Sequence, residues 1–376
     1  PGPPSEPRHR PAAAHPGRRA GRHLLVTTQD LDSPVNLVGR TSSEIEALVA
    51  PTVDRPFRGR QIARWVIDNN ATSFDEMTNL SLELRRQLAG GFVVQDPEVL
   101  DRVESSDGSV KYLFGLRGGV RVEGVAMLEG RKVTMCLSSQ AGCAVGCTFC
   151  VTGALGAGRN LEPDEIVGQY RDMLRHLGVD VERVNLVFMG MGEPLLNTAN
   201  LGRALDALAE RVSLKRITVS TAGIIPGIEW VAGLDRRPKL AISLNAPDQD
   251  RRQQIMPIAR RYPLDDLFSV LRQFPLERGR RITFEYVVIA GFNDALDDAR
   301  RVRELIRGIP SKVNVIPLNE DPEHFPELKR PAADHVDAFA AALRDAGVTV
   351  TVRWSRGGDV DAACGQLRGR HLTDAR

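Results

Sequence analysis

No stretch of this 376-residue chain approaches the roughly 20 consecutive apolar residues that a bilayer-spanning helix needs, although 42% of its residues are hydrophobic. The first residues also lack the apolar segment of a secretory signal. No membrane is therefore expected, and the chain reads as cytoplasmic. Cysteine is scarce, with five residues in all: Cys136, Cys143, Cys147, Cys150 and Cys364. The count is odd and four crowd into one short stretch, which excludes a disulfide framework. In a cytosolic chain such clustering marks metal binding or catalysis. Charge of one sign is lacking too, since the net value is only +2. It is unevenly placed. Arg8, Arg10, Arg18, Arg19 and Arg22 face a single acid, Glu6, in the first 23 residues. Such a tail can capture polyanions by counterion release. Residues 1–33 are also poor in apolar side chains and rich in Pro, Gly, Ala and Arg, and so read first as a solvated, disordered extension.

What remains is long enough for one large core and a smaller accessory unit. Residues 34–95 read as helical. Ser43 with Glu46 is a candidate capping box for a helix carrying Ile45, Leu48 and Val49. A second helix runs from about Gln61 to Asp68 beside the basic residues Arg58, Arg60 and Arg64, and a third covers Ser81–Leu88. Residues 96–128 are a β linker region, with strand-like runs at Lys111–Leu116 and Val120–Leu128. From residue 129 to 355 strands and helices alternate. The strands are Val133–Ser138, Val184–Met189, Arg216–Thr221, Leu240–Leu244, Ile282–Val288 and Val313–Pro317. Helices are expected at Pro163–Leu177, Leu201–Arg211, Leu264–Phe274, Ala299–Ile306 and Ala332–Ala346. This alternation implies parallel βαβ units with right-handed crossovers. Six repeats fall short of a closed eight-fold barrel, so the fold class is α/β with a partial (β/α)6 barrel. Reactive groups then gather at the C-terminal strand edge. A last strand-like run, Val348–Trp354, leads into a C-terminal loop, 356–376, holding Cys364.

The strongest chemical signal is Cys143-Ala-Val-Gly-Cys147-Thr-Phe-Cys150, immediately after the first barrel strand. Thiolates suit zinc or an iron–sulfur cluster. A structural zinc wants four protein ligands. The next histidine, His176, falls inside a predicted helix, and Cys136 forms no CxxC with Cys143. Three ligands with an open fourth position favour a 4Fe-4S cluster whose unique iron binds a small molecule.

In this loop the chain resembles the radical-SAM superfamily. Further motifs narrow the likeness: Met135-Cys136-Leu137-Ser138-Ser139-Gln140, Gly190-Met191-Gly192-Glu193-Pro194, Ser220-Thr221-Ala222-Gly223, Ile242-Ser243-Leu244, Gly291-Phe292-Asn293-Asp294 and Ala362-Ala363-Cys364-Gly365-Gln366-Leu367. Together they are similar to the family that methylates carbon 2 of adenine in 23S rRNA and tRNA. The likeness runs from about residue 35 to about 370. It implies that Cys143, Cys147 and Cys150 ligate the cluster, and that S-adenosylmethionine (SAM) contacts Gly192, Glu193, Ser220, Ser243, Leu244, Asn245 and Asn319. The family usually carries histidine where this chain has Asn245. Asparagine still hydrogen-bonds but does not titrate near neutrality.

Carbon 2 lies between two ring nitrogens and is too electron-poor to attack a methyl cation equivalent, so the chemistry calls for a radical. The resemblance implies a route. Cys364, as thiolate, takes a methyl from one SAM. A second SAM yields the radical that removes hydrogen from that methyl, and the methylene radical joins Cys364 to the base. Cys136 then attacks the Cys364 sulfur, forming a disulfide and freeing the product, while Glu123 accepts the carbon-2 proton. Two SAM are used per turnover, an electron donor such as flavodoxin feeds the cluster, and a thiol reductant resets the cysteines. The target adenine must be single-stranded or flipped. A monomer is expected. The sister activity at carbon 8 shares both extra cysteines, and a zinc-stabilised RNA-binding module is the rival from a different class.

Overall fold

The computed structural model describes residues 34–178 and 182–368; the basic tail and residues 369–376 of the C-terminal loop lie outside the described residues. The N-terminal unit begins with β1 (Val35–Asn36), α1 (Ser42–Val49), α2 (Pro56–Ile67), α3 (Leu82–Ala89) and β2 (Phe92–Val93), the two short strands pairing in parallel. The capping box of α1 is two residues earlier than Ser43–Glu46. Thr41 is the N-cap, its hydroxyl accepting from the Glu44 N–H at 3.3 Å while the Glu44 carboxylate accepts from the Thr41 N–H at 2.8 Å. Ser42 and Ser43 thus fall inside the first turn. Ile45, Val49, Ile62, Val66, Leu84 and Leu88 turn inward at helical spacing and form one apolar face.

Four antiparallel strands follow: β3 (Glu98–Glu104), β4 (Ser109–Gly115), β5 (Arg121–Glu129) and β6 (Lys132–Cys136). The barrel continues as α4 (Val151–Ala154), α5 (Pro163–Leu177), β7 (Arg183–Phe188), α6 (Thr198–Leu208), β8 (Ile217–Thr221), α7 (Ile225–Ala232), β9 (Lys239–Ser243), α8 (Gln249–Ile255), α9 (Leu264–Gln273), β10 (Ile282–Val288), α10 (Leu296–Ile306), β11 (Ser311–Pro317), α11 (Ala333–Asp345) and β12 (Val350–Val352). All ten strands from β3 to β12 form one sheet in strict chain order, parallel from β6 onward. The six expected parallel strands are present and β12 adds a short seventh. The sheet ends at β3 and β12, so the barrel is open. Strand β3 was not expected. Its sequence, Glu-Val-Leu-Asp-Arg-Val-Glu, is charged at both ends and only half-buried between them, and its pairing with β4 makes it a strand.

The N-terminal unit is fixed to the barrel by a buried arginine. Arg171 of α5 donates to the carbonyls of Val66 and Ala71 and, through Nε, to Asp96 Oδ1 at 2.6 Å; Arg175 adds a bond to Asp96 Oδ2 at 2.9 Å. Among the described residues no helix is long and apolar enough to cross a membrane.

Candidate active site

Strand β6 ends at Cys136, and the chain then turns across the C-terminal edge of the sheet as the cysteine loop. Backbone bonds hold that loop: Cys143 N–H donates to Gly156 O at 2.7 Å, and Ala141 N–H to Arg159 O at 3.0 Å. Gly158 makes this return possible, because a Cβ there would lie 1.6 Å from the Ala141 carbonyl oxygen. A third bond, Thr148 N–H to Ile255 O at 3.0 Å, ties the loop to the end of α8.

Cys143, Cys147 and Cys150 act on one another electrostatically. Burial pushes Cys143 up to about 12 and Cys147 well above the ordinary thiol range, with Cys150 adding to both shifts; Cys150 is raised by burial as well. Three neighbouring, half-buried thiols that resist ionisation are stabilised as thiolates by a cation among them. That donor set, with no fourth cysteine or histidine completing it among the described residues, fits a three-ligand iron–sulfur cluster.

Around it lie the strand ends. Gly192, at φ +98°, brings the backbone so close that a Cβ would sit 2.5 Å from the Gln140 Cβ. Glu193 is buried, its carboxylate accepting from Leu195 N–H at 3.0 Å and Ala222 N–H at 2.7 Å, and burial pushes it up to about 7. Ser220 and Ser243 are half-buried near the ends of β8 and β9, and Leu244 is fully buried. Asn245 adopts the left-handed region, φ +58°, with Oδ1 accepting from Val287 N–H at 2.9 Å. Asn319 donates from Nδ2 to the Cys364 carbonyl at 2.9 Å, so this residue also holds the C-terminal loop.

The loop carrying Cys364 folds over the barrel mouth. Val151 N–H donates to Gly365 O at 2.7 Å and Thr152 Oγ1 to Leu367 O at 2.8 Å, tying the loop directly to the cysteine turn. Cys136 and Cys364 share one cavity of about 780 Å³, and Cys364 adds to the burial that pushes Cys136 up to about 12. Glu123 is buried on β5, two residues from Val125, the partner of Cys136. Its carboxylate meets Lys111 Nζ at 3.5 Å and accepts from Arg368 N–H at 2.8 Å, rather than being solvated as a strand-edge carboxylate would be. The cavity runs down the barrel interior to the opposite strand ends, where Lys132, Arg216, Lys239 and Lys312 line it. Burial, then Lys312, Arg280 and Arg216, lower Lys239.

The comparisons agree with this geometry. Residues 137–306 match the radical SAM superfamily, and residues 35–94 match the ribosomal RNA large subunit methyltransferase N-terminal domain. The dual-specificity RNA methyltransferase RlmN of Anaeromyxobacter dehalogenans is 44% identical over 347 residues, covering 89% of this chain and 92% of its own. That of Geobacter sulfurreducens is 44% identical over 346 residues, covering 90% and 94%. The chain belongs to the RlmN family. A crystal structure of a radical SAM methyltransferase from Sphaerobacter thermophilus superposes with a TM-score of 0.84 at 39% identity, covering 90% of this chain and all of that one. Membership of a radical-SAM family brings with it a 4Fe-4S cluster and SAM.

Three polar residues of this RlmN-family site escaped sequence reasoning. Arg353 lies in the cavity with Cys136 and Cys364 and is held positively charged first by Cys364, then by Glu285 and Cys136. Glu285, raised by burial, accepts from Asn314 Nδ2 at 3.0 Å and leaves its Oε2 without a partner. Arg252 is fully buried beneath the ends of β8 and β9. No motif distinguishes them from the many solvated arginines and glutamates of the chain.

Proposed function

We propose that this protein methylates carbon 2 of adenine in 23S rRNA and tRNA by a radical route in which Cys364 carries the methyl group. The observation that carries the reading is the convergence of all five cysteines: three on the loop after β6, and Cys136 and Cys364 in one cavity beside them. The RlmN-family relatives favour carbon 2, and nothing among them favours carbon 8. The superfamily match over residues 137–306 weighs against a zinc-stabilised binding module.

Cys143, Cys147 and Cys150 would hold the cluster, which when bound supplies the electron that cleaves SAM. The chain's own groups do the rest. Gly192 lets backbone approach the cofactor, Glu193 accepts hydrogen bonds from its amine, and Ser220, Ser243, Leu244, Asn245 and Asn319 line it at the strand ends. Cys364 would accept the methyl from one SAM, leaving S-adenosylhomocysteine, and, after loss of a hydrogen to the radical from a second, would bond to the base; the one electron then left unpaired on the ring would have to pass back to the redox centre before the proton leaves. Arg353 lines the same cavity as Cys364, whose thiolate is the nucleophile in that first step. Cys136 attacks the Cys364 sulfur, the disulfide forms, and an external thiol reduces it. Glu123 takes the carbon-2 proton; its contact with Arg368, four residues beyond Cys364, couples that carboxylate to movement of the C-terminal loop.

The cations at the far end of the cavity support an RNA partner, since phosphates are gripped by convergent lysine and arginine. The helical unit of residues 34–95 serves as the RNA-binding accessory domain and the basic tail assists it. The protein works as a cytoplasmic monomer, with a flavodoxin-like electron donor. Mass spectrometry of nucleosides tests the reading, using unmodified rRNA fragments and tRNA treated with reconstituted enzyme, SAM and reductant. 2-Methyladenosine is the expected product. 8-Methyladenosine would overturn the position of attack, and neither product from cluster-loaded enzyme would overturn the substrate.

A further inference from the structure

Arg251 and Arg252 are neighbours on α8 with opposite fates. Arg251 is paired twice with Asp298, both bonds at 2.7 Å, and again with Asp248. Arg252 points inward and is 0% exposed. Its Nη2 donates to Ala222 O at 2.7 Å and Ser243 O at 3.1 Å, and its Nε to Leu244 O at 3.2 Å. Among the described residues its Nη1 has no hydrogen-bond partner, and no carboxylate acts on it. A buried guanidinium facing only carbonyls, with one nitrogen unpaired, is a costly arrangement that native proteins avoid unless a counter-charge is supplied.

The group placed to supply it is the cysteine loop. Thr148 N–H is bonded to Ile255 O, three residues from Arg252, and Cys147 is the group whose charge Arg252 feels. Val145, Met256 and Ile255 pack in one small apolar cluster with Cys143 and Cys147 against them, so water is kept from the gap. The carbonyls that Arg252 ties also belong to the segments Ser220–Gly223 and Ser243–Asn245, which the proposed function assigns to SAM.

We infer that Arg252 is a positioning residue for the iron–sulfur cluster: its buried guanidinium, which ties the strand ends beneath the cysteine loop and has one nitrogen to spare, sets a fixed positive charge beside the cluster and eases its reduction. A fixed positive charge stabilises the more negative, reduced state, and hydrogen bonds and charge near the ligand sulfurs set cluster potentials. The inference rests on the radical-SAM reading. A wild-type chain that took up no cluster would fail at that reading and overturn both.

The test is an anaerobic redox titration of the full-length, cluster-loaded protein without SAM, followed by electron paramagnetic resonance. Arg252→Met is expected to lower the equilibrium constant for one-electron reduction about tenfold, equivalent to about 59 mV. Arg252→Lys keeps the charge but cannot tie three carbonyls, and should stay within about twofold of wild type. Arg252→Gln keeps an amide donor and drops the charge, so it should behave as Arg252→Met and stands in should that variant fail to fold. A potential unmoved in the neutral variants overturns the inference, as does an Arg252→Lys shift as large as theirs. An unmoved potential with weakened SAM binding overturns it too, assigning the nitrogen to SAM instead. Unfolding midpoints give a second reading: Arg252→Met should cost the cluster-loaded protein more than the cluster-free one. An equal loss in both marks a merely structural role.

Discussion

At the scale of single residues the site combines groups whose surroundings hold them in an unusual state. Glu193 is the clearest case, because burial pushes it up to about 7 from an ordinary 4.5. Below its ordinary value the group is neutral in both the folded and unfolded chain. As pH rises from there to about 7, the unfolded chain releases the proton first, so the folded state loses stability; above about 7 the loss is complete. The full effect is on the order of 3 kcal/mol. Urea unfolding of the cluster-free protein from about pH 4 to about pH 8 should show this fall in wild type and a flatter profile in Glu193→Gln. Parallel profiles would refute it. Two further substitutions read the chemistry directly. Cys364→Ala should lose methylation of RNA entirely while keeping the cluster's absorbance. Glu123→Gln should accumulate a covalent protein–RNA species visible on a denaturing gel, because the carbon-2 proton then has no acceptor. Clean turnover by either variant would remove that residue from the mechanism.

Elements explain which parts of the molecule were legible in the sequence. Helix α5 was expected over Pro163–Leu177 and β10 over Ile282–Val288, and both have those bounds, since each has strong periodicity and a clear start. Helix α7 went unseen although α1 and α3 are also eight residues long, because Thr41 and Ser81 cap those two while no side chain caps α7. The α1 cap was misplaced because Thr41 and Ser43 both precede a glutamate by three, and only the backbone decides between them. The cysteine loop was legible as a motif, while its support was not. Gly158 shows why, as nothing in Gly-Ala-Gly-Arg announces that a carbonyl passes within 1.6 Å of its missing Cβ. Gly158→Ala must therefore displace the 141–143 turn, at about 2 kcal/mol or more by the standards of overpacked sites. The expected result is far-ultraviolet circular dichroism like that of wild type, with iron and sulfide content reduced by half or more. Full cluster uptake would show that the turn relaxes without moving the ligands.

For the whole molecule the open barrel matters most, because its interior connects two chemically different ends. Cys136, Cys364 and Arg353 lie toward the C-terminal strand edge, and Lys132, Arg216, Lys239 and Lys312 lie at the other end of the same cavity. The parallel register produces this ring. Lys239 and Lys312 open β9 and β11 at or next to the first residue, and Arg216 immediately precedes β8. Were an RNA strand to rest its phosphates on that ring, the cavity would lead from it toward Cys364. Each phosphate contact releases counterions, so the logarithm of affinity falls linearly with the logarithm of salt, by about 0.7 to 0.9 per contact. Neutralising two cations in Lys239→Gln/Lys312→Gln should therefore weaken RNA binding and flatten that slope by roughly 1.5, measured by fluorescence anisotropy with an anticodon stem-loop. Methylation of Cys364 by SAM in the absence of RNA should be untouched, because the substituted residues lie at the far end of the cavity. The same double variant with an unchanged slope would mean that the RNA enters elsewhere. A flattened slope in Arg60→Gln/Arg64→Gln, on α2, would then move the contact to the N-terminal unit.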